Sequence, residues 1–473
     1  MRHDVAVIGC GPTGATLANL LAECGLRVLV IDREPAAYHL PRAVHFDDET
    51  MRVFQTVGIA DALSEKTHVN PGMRFVDTDG TLLLDWPRPQ EPTPMGWHAS
   101  YRLHQPDLEA LLRDRLAQRP GVTLRMGCRI ETVEEMPDHV RLTGTDRATG
   151  EACQFSARWV VGCDGANSML RDAIGGGMED LGFRERWLVV DVLLKRPRPD
   201  LGDHTIQFCD PARPMTYCRS PGIRRRWEIA VQDDEDDAAI SAESNVWHLL
   251  SRWITPEDAT LERRAVYTFH SALARNWRRD RLMIAGDAAH LTPPFMGQGM
   301  CTGIRDAANL AWKLAQVAKG EADAALLDTY QAERAPHARH YIETAIRLGG
   351  LINAMDRDAA LHLARDGGRF RSIAPALGPS ARLTPHPSGR VGTLFPQPLL
   401  ADGTRLDDYI GYAGFVLTAL PGAPPADPAL CLILRDIGAL GIRVGPDRQI
   451  EAISDDPAEI RGWHAPHRFH GAA

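Results

Sequence analysis

Residues 4–32 read DVAVIGCGPTGATLANLLAECGLRVLVID, and the architecture follows from this run. Asp4–Ile8 is continuously apolar, the pattern of a central parallel strand. A glycine cluster follows at once, and Ala15–Cys24 then carries apolar residues at helical spacing. Val28–Ile31 is a second apolar strand, and it ends in Asp32. The whole is a βαβ unit carrying G-x-G-x-x-G. Gly9 permits the tight turn, Gly11 lets the backbone approach a pyrophosphate, and Gly14 lets the helix pack on the strand. Asp32 stands where a carboxylate accepts hydrogen bonds from a ribose. An acid there fits FAD or NAD, not a 2′-phosphorylated nucleotide.

Far from this unit, Arg281–Asp306 reads RLMIAGDAAHLTPPFMGQGMCTGIRD. The apolar run Leu282–Ala285 predicts a buried strand that ends at Gly286-Asp287. A Pro-Pro turn then leads to a glycine-rich segment (Gly297, Gly299, Gly303) that opens a helix through Leu314. Such a strand delivers one carboxylate to a site. The helix start has few side chains, so its free N–H groups and positive dipole end face whatever binds there. A third stretch, Trp159–Ser168, again takes an apolar strand into an acid and a glycine, Asp164-Gly165, with Arg171 beyond.

At 473 residues the chain is long enough for two or three domains. A net charge of −9 gives no overall basic field to attract nucleic acid or an anionic membrane. No apolar run approaches the ~20 residues of a membrane span, and Met1-Arg2-His3 runs directly into a strand, without room for a signal peptide. The 9 cysteines form no C-x-x-C pair, which argues against a disulfide framework. A cytoplasmic protein is expected, and its state is left open between monomer and homodimer.

In the remaining chain, Arg42 is a candidate pyrophosphate partner, Thr50–Val57 reads as a helix, and Phe75–Trp86 as a hairpin turning at Asp79-Gly80. Leu108–Leu116 follows as a helix, and Val122–Arg125, Ile130–Glu135 and His139–Thr143 as a small meander. From Leu181 to Thr268 strand-like runs surround one helical piece, Asn245–Ile254, predicting an inserted sheet-rich domain. Arg224–Arg226 reads as a hairpin tip, with the holding of an acidic substrate as its alternative. Long helical periodicity fills Leu326–Asn353. His337 and His340 lie on it as surface residues, without the cysteines or carboxylates of a metal site. Gly414–Leu420 and Leu430–Leu434 are strand-like. His464, His467 and His470 read as a polar, frayed terminus in preference to a metal cluster. No metal is expected.

The three motifs, in this order and spacing, resemble those of single-component FAD-dependent aromatic hydroxylases, the group of para-hydroxybenzoate hydroxylase. The resemblance covers about residues 1–345. Within the group, PRAVHFDDE, CDPARP, VYTFHSALARNW and GQGMCTGIRDAANLAWKLA are most similar to 3-(3-hydroxyphenyl)propionate hydroxylases. It implies an α/β fold in which a Rossmann-like FAD domain of the glutathione-reductase type (1–180 and 270–371) carries an inserted substrate domain (181–269, with 66–105 partly in that region). A linker (372–392) and a shortened thioredoxin-like domain (393–473) complete it. By motif, Gly9, Gly11, Pro12, Thr13 and Gly14 would hold the FAD pyrophosphate and Asp32 the ribose, while Arg33, Arg42, Ala43, Gln105 and Cys128 would line the dinucleotide. Asp164 would support the Asp-Gly motif. Gly286 and Asp287 would meet the ribityl chain, and Pro294 would lie beside the isoalloxazine. Gly297, Gly299, Met300 and Cys301 would face the flavin's pyrimidine edge. Relatives often carry Asn where Cys301 stands, but the implied contact is backbone.

The implied chemistry is hydroxylation of a phenol by NADH or NADPH and O2 through a flavin C4a-hydroperoxide, ortho to the hydroxyl of a 3-hydroxyphenylpropionate-like ring. His45 is the candidate for the phenolic proton, because an imidazole exchanges protons at neutral pH, and Tyr217 is the second. The alternatives on this scaffold are epoxidation, ring opening or tailoring of a polycyclic aromatic. A flavin-free carrier of the Rab GDP-dissociation-inhibitor type is a further one, against which Gly286-Asp287 and the glycine-rich helix argue.

Overall fold

The computed structural model describes residues 3–354, 374–420, 427–465 and 467–470. It opens with β1 (His3–Ile8), α1 (Pro12–Glu23) and β2 (Val28–Asp32). β3 (His45–Asp47) leads into α2 (Asp48–Val57), whose N-terminus is capped by the Asp47 side chain. β4 (His68–Val69), the hairpin β5 (Gly72–Val76) and β6 (Leu82–Pro87), β7 (Ser100–Arg102) and α3 (Gln105–Ala117) follow. β8 (Val122–Met126) was expected in a meander, but it joins the main sheet parallel to β2, with Val28 opposite Val122. Gly127, at φ 76°, breaks the chain there. The meander is instead β9 (Cys128–Glu135), β10 (Val140–Asp146) and β11 (Ala152–Gly162), followed by α4 (Met169–Ile174).

Two long strands, β12 (Met178–Leu194) and β16 (Ala259–Ala274), run antiparallel along most of their length. They pass through positions 180 and 269, so the expected domain limits fall inside strands of the second sheet. Between them lie β13 (Thr205–Phe208), β14 (Met215–Arg219), β15 (Arg224–Ala230) and the helix α5 (Glu243–Leu250). β17 (Arg278–Arg279) and β18 (Leu282–Ile284) return the chain to the first sheet, and β19 (His290–Leu291) pairs with β16. The first sheet has the order β17-β18-β11-β1-β2-β8, and the second β19-β16-β12-β15-β14-β13-β5-β6. Parallel pairing runs unbroken from β18 to β8, which puts the C-terminal ends of β1, β2, β11 and β18 along one edge.

The helix α6 (Gly299–Lys319) packs against α1, and α7 (Asp328–Ala354) against α6 and β16. His337 is buried within α7, so the surface reading holds for His340 only. The last unit is a four-stranded sheet of β20 (Phe415–Thr418), β21 (Gly441–Val444), β22 (Ile450–Ser454) and β23 (His467–His470). Leu430–Leu434 is not a strand. It lies in α8 (Pro428–Ile437), which Asp427 caps and Gly438 ends in the left-handed conformation. Leu430 and Leu434 are its buried residues, one helical turn apart. The histidine tail pairs in parallel with β20 instead of fraying. Residues 374–392 carry neither helix nor strand, and positions 372 and 373 of the expected linker lie outside the described residues. Among the described residues no helix is long and apolar enough to cross a membrane.

Candidate active site

All three motifs converge on the C-terminal edge of the parallel sheet, where open α/β sheets bind ligands. Gly9, at φ 101°, lies so close to the Cys163 carbonyl that a Cβ would sit 2.2 Å from it. A Cβ on Gly14 would sit 2.0 Å from the Gly9 carbonyl, so helix and strand touch through glycine at both points. Gly11 differs: nothing lies within 4 Å of where its Cβ would be. It precedes α1, which has Pro12 in its first turn and no side-chain cap. The first N–H groups of α1 therefore face an open space, as a pyrophosphate requires. The Asp32 carboxylate accepts from the Cys10 N–H at 2.6 Å and from the Glu34 N–H at 2.7 Å, so it also fastens the glycine turn. Arg33 is exposed, and Cys128 follows Gly127, whose N–H donates to the Glu34 carbonyl.

On the other side of β1, Asp164 has one buried carboxylate oxygen without a partner, while the other accepts from the Leu170 N–H at 3.3 Å. The Asp287 side chain, just past β18, makes no hydrogen bond or ion pair among the described residues. It is exposed, yet surrounding protein holds its carboxyl above the usual range, with His290 and Arg42 acting in the opposite sense. An unpaired acceptor in that setting fits a ligand hydroxyl. The backbone that presents it is fixed from beneath. Asp306 accepts from the Gly286 N–H at 3.1 Å, from His290 Nε2 at 2.6 Å and from Arg334 Nε at 2.9 Å, all buried. Gly286 and Gly303 close on Thr13, whose hydroxyl would lie 2.7 and 2.3 Å from their Cβ positions.

The N-terminus of α6 follows Pro294, and no side chain caps it. Free N–H groups at Gly299, Met300 and Cys301 point out of the helix. Gln298, just before them, is locked: its Oε1 accepts from Arg305 at 3.0 Å and its Nε2 donates to Asp47 at 3.2 Å. Arg305 in turn pairs with Asp47 and Glu49. This clamp and the Asp306 hub were not anticipated. The charged Arg305-Asp306 pair among the alanines and apolar residues of this helix was the available signal, because buried charges need partners.

His45 does not have a free nitrogen for substrate. Nδ1 donates to the Gly297 carbonyl at 3.3 Å, and Nε2 lies 2.8 Å from the Ser100 hydroxyl. Burial, with Arg102 and Arg88 nearby, pushes it down to about 4, so it is neutral at physiological pH. The bond to Gly297 ties it to the loop that precedes α6. Tyr217 faces away from the loop. It pairs across the sheet with Trp227, 5.0 Å between rings, on the face that packs with Val246 and Leu250 of α5, and its hydroxyl donates to the Gly202 carbonyl at 3.3 Å. Strand alternation puts the inner face on the neighbouring residues. That face presents Trp187, Phe75, Phe183 and Phe269 around Phe295 and Met296 of the loop. Arg224–Arg226 is a strand, not a hairpin tip. Arg226 is buried, pairs with Asp191 at 2.8 Å, and donates to the carbonyls of Pro41 (2.6 Å) and Arg42 (2.8 Å). Gln105, both ends engaged, receives the Arg42 and Ala43 N–H groups and donates to Glu109, which fixes the same strap.

The family model described as FAD binding domain matches residues 2–345. The chain belongs to this family. It is 39% identical over 478 residues to a probable NADH-specific resorcinol 4-hydroxylase of Rhodococcus jostii (strain RHA1), covering 98% of this chain and 88% of that protein. It is 34% identical over 503 residues to a 3-(3-hydroxy-phenyl)propionate/3-hydroxycinnamic acid hydroxylase of Mycobacterium sp. (strain JLS), with 98% and 86% covered. Among solved structures, the rebeccamycin biosynthetic enzyme RebC superposes with a TM-score of 0.82 over 98% of each chain at 23% identity. Aklavinone-11 hydroxylase superposes at 0.79 over 96% of each at 22%. The chain is a flavoprotein aromatic monooxygenase that uses FAD, a reduced nicotinamide and O2. The open turn at Gly11, the unpaired Asp287 and the uncapped helix starts are a chemically apt set for that cofactor.

Proposed function

We propose that this enzyme hydroxylates a single-ring phenol, ortho to its hydroxyl, on a ring that carries a short acidic side chain, with NADH as donor. The observation that carries the reading is the aromatic wall of the second sheet, packed against Phe295 and Met296 directly before the start of α6. Bound flavin supplies reducing power and activated oxygen; the chain supplies place and dryness. Asp287 would accept a hydroxyl of the cofactor. The free N–H groups at Gly299–Cys301 would stabilise negative charge on its ring, and the apolar wall excludes water. The names of the relatives support a ring with a second substituent meta to the hydroxyl. A neutral diphenol is the second reading, favoured by the 39% identity to the Rhodococcus protein.

The test is turnover of the purified holoenzyme on 3-(3-hydroxyphenyl)propionate, 3-hydroxycinnamate and resorcinol, each with NADH and with NADPH. A catechol-type product carrying one oxygen from labelled O2 is expected from the acidic phenols. A ring-opened product, an epoxide, or NADH oxidation that yields peroxide alone with every phenol would overturn the proposal.

A further inference from the structure

Among the described residues, Arg102 is a buried cation without a partner. It lies on β7 with Ser100, and the register sets this pair opposite His45 and Asp47 of β3. Those four side chains share one face, since paired and alternate residues point the same way. The reverse face packs into the core, with Tyr101 stacked on Phe46 at 5.0 Å. The Arg102 face is the one that holds the flavin-side loop, through His45 to Gly297 and Asp47 to Gln298. Its guanidinium also lies within the electrostatic reach of Cys218, Glu228 and Arg226 on the second sheet. It therefore sits between loop and sheet, beside the aromatic wall.

Arg102 is only 4% exposed, yet among the described residues it makes no side-chain hydrogen bond, ion pair or ring contact, and its Nε is a buried donor with no acceptor. The nearby acids are already taken. Asp191 is shared by Arg226 at 2.8 Å and Arg263 at 2.5 Å, and Glu228 lies 3.6 Å from Arg226. Among these five groups three guanidiniums meet two carboxylates, and Arg102 is the one left over. Arg88, whose charge reaches Arg102, stacks on Trp86 at 4.4 Å and lies within the electrostatic reach of Asp47 and Asp48, but makes no ion pair among the described residues. An uncompensated buried cation is costly, and a ligand that brings an anion relieves it.

We propose that Arg102 receives the carboxylate of the aromatic substrate in a forked, two-bond pair and so sets the ring against the wall beside Phe295. This rests on the acidic-phenol reading above, and it assigns the group that would select such a substrate over a neutral diphenol.

The experiment is calorimetric titration of the holoenzyme with 3-phenylpropionate and with 3-phenylpropanamide. Neither has a phenolic hydroxyl, so binding is read apart from turnover, and failure of every phenol to be hydroxylated would sink the function while leaving this ratio measurable. The wild type is expected to bind the acid about 10- to 100-fold tighter than the amide. Arg102→Leu should bring that ratio close to one, and Arg102→Lys, which keeps the charge but loses the fork, should lower it at least threefold. A wild-type ratio near one overturns the proposal, as does a ratio kept in Arg102→Leu. If Arg102→Leu fails to fold with flavin bound, Arg102→Lys decides: an unchanged ratio overturns it. Retention of the ratio together with a raised pKa of a bound neutral phenol would mean that the guanidinium serves the phenolate, which also overturns the assignment.

Discussion

Asp287 and Asp306 are both carboxylates of the cofactor edge, and alanine at each should produce opposite signatures. The Asp287 side chain bonds to nothing among the described residues, so its removal orphans no donor there. What is lost is a charge-assisted hydrogen bond to the cofactor, about 1.5–3 kcal/mol, or roughly 10- to 100-fold in FAD affinity. Because the surrounding protein holds this carboxyl above its usual range, its ionisation costs the apoprotein stability as pH rises through that range. Asp287→Ala apoprotein should thus melt no lower than wild type at neutral pH, and the advantage should fade toward pH 4. Asp306→Ala removes the shared acceptor of His290, Arg334 and the Gly286 N–H, all buried. Breaking such a set costs about 3–5 kcal/mol, so its apoprotein should melt several degrees lower. The assay is FAD titration of apoprotein followed by flavin fluorescence, with melting by circular dichroism. Wild-type FAD affinity in Asp287→Ala, or equal melting losses in the two variants, would refute the reasoning.

His45→Gln should leave the pH profile of turnover between 6 and 8 unmoved, since the wild-type imidazole is already neutral there. With its folded value down at about 4, His45 contributes stability that is present above about pH 6.5 and lost as pH falls toward 4. The loss is about 3 kcal/mol, and melting curves across that range should show it in wild type and not in the variant. Tyr217→Phe loses only the bond to the Gly202 carbonyl, about 1 kcal/mol of stability; a change in the ratio of product to peroxide would contradict its placement on the outer face. Gly303→Ala would drive a methyl to 2.3 Å from the Thr13 hydroxyl. A lowered flavin content and about 1–3 kcal/mol less stability, read by absorbance ratio and melting, are the expected result.

Much of the cofactor edge was legible because its signals are local. A strand ending in an acid, a glycine that only a turn or a close approach demands, and a helix opening without side chains all occupy a few consecutive residues. The surroundings of the catalytic candidates were not legible, for the converse reason. Whether Tyr217 faces the ring or α5 depends on the register of β14 against β15, and whether His45 has a free nitrogen depends on Gly297, far along the chain. Neither fact is written near the residue. Arg102 was passed over on the same ground, since its lack of a partner appears only once Asp191 has been shared out between strands. The error at Leu430–Leu434 was avoidable: Asp427-Pro428 and Gly438 are ordinary helix boundaries.

One ion pair ties the chain's ends together. Asp407, beyond the stretch without helix or strand, is 1% exposed and is shared by Arg52 of α2 at 2.7 Å and by Arg448 at 2.9 Å. Arg52 also donates to the Phe395 carbonyl at 2.6 Å, while Arg382 and Asp447 extend the buried group of Lys313 and Glu333 on the flavin-side helices. The flavin half is therefore not electrically complete by itself. Excising residues 393–473 would strand Arg52 in an apolar setting, so the two halves should lose their structure in a single cooperative step, and the small C-terminal sheet is not a module that can be traded or trimmed without redesigning the helix beneath it.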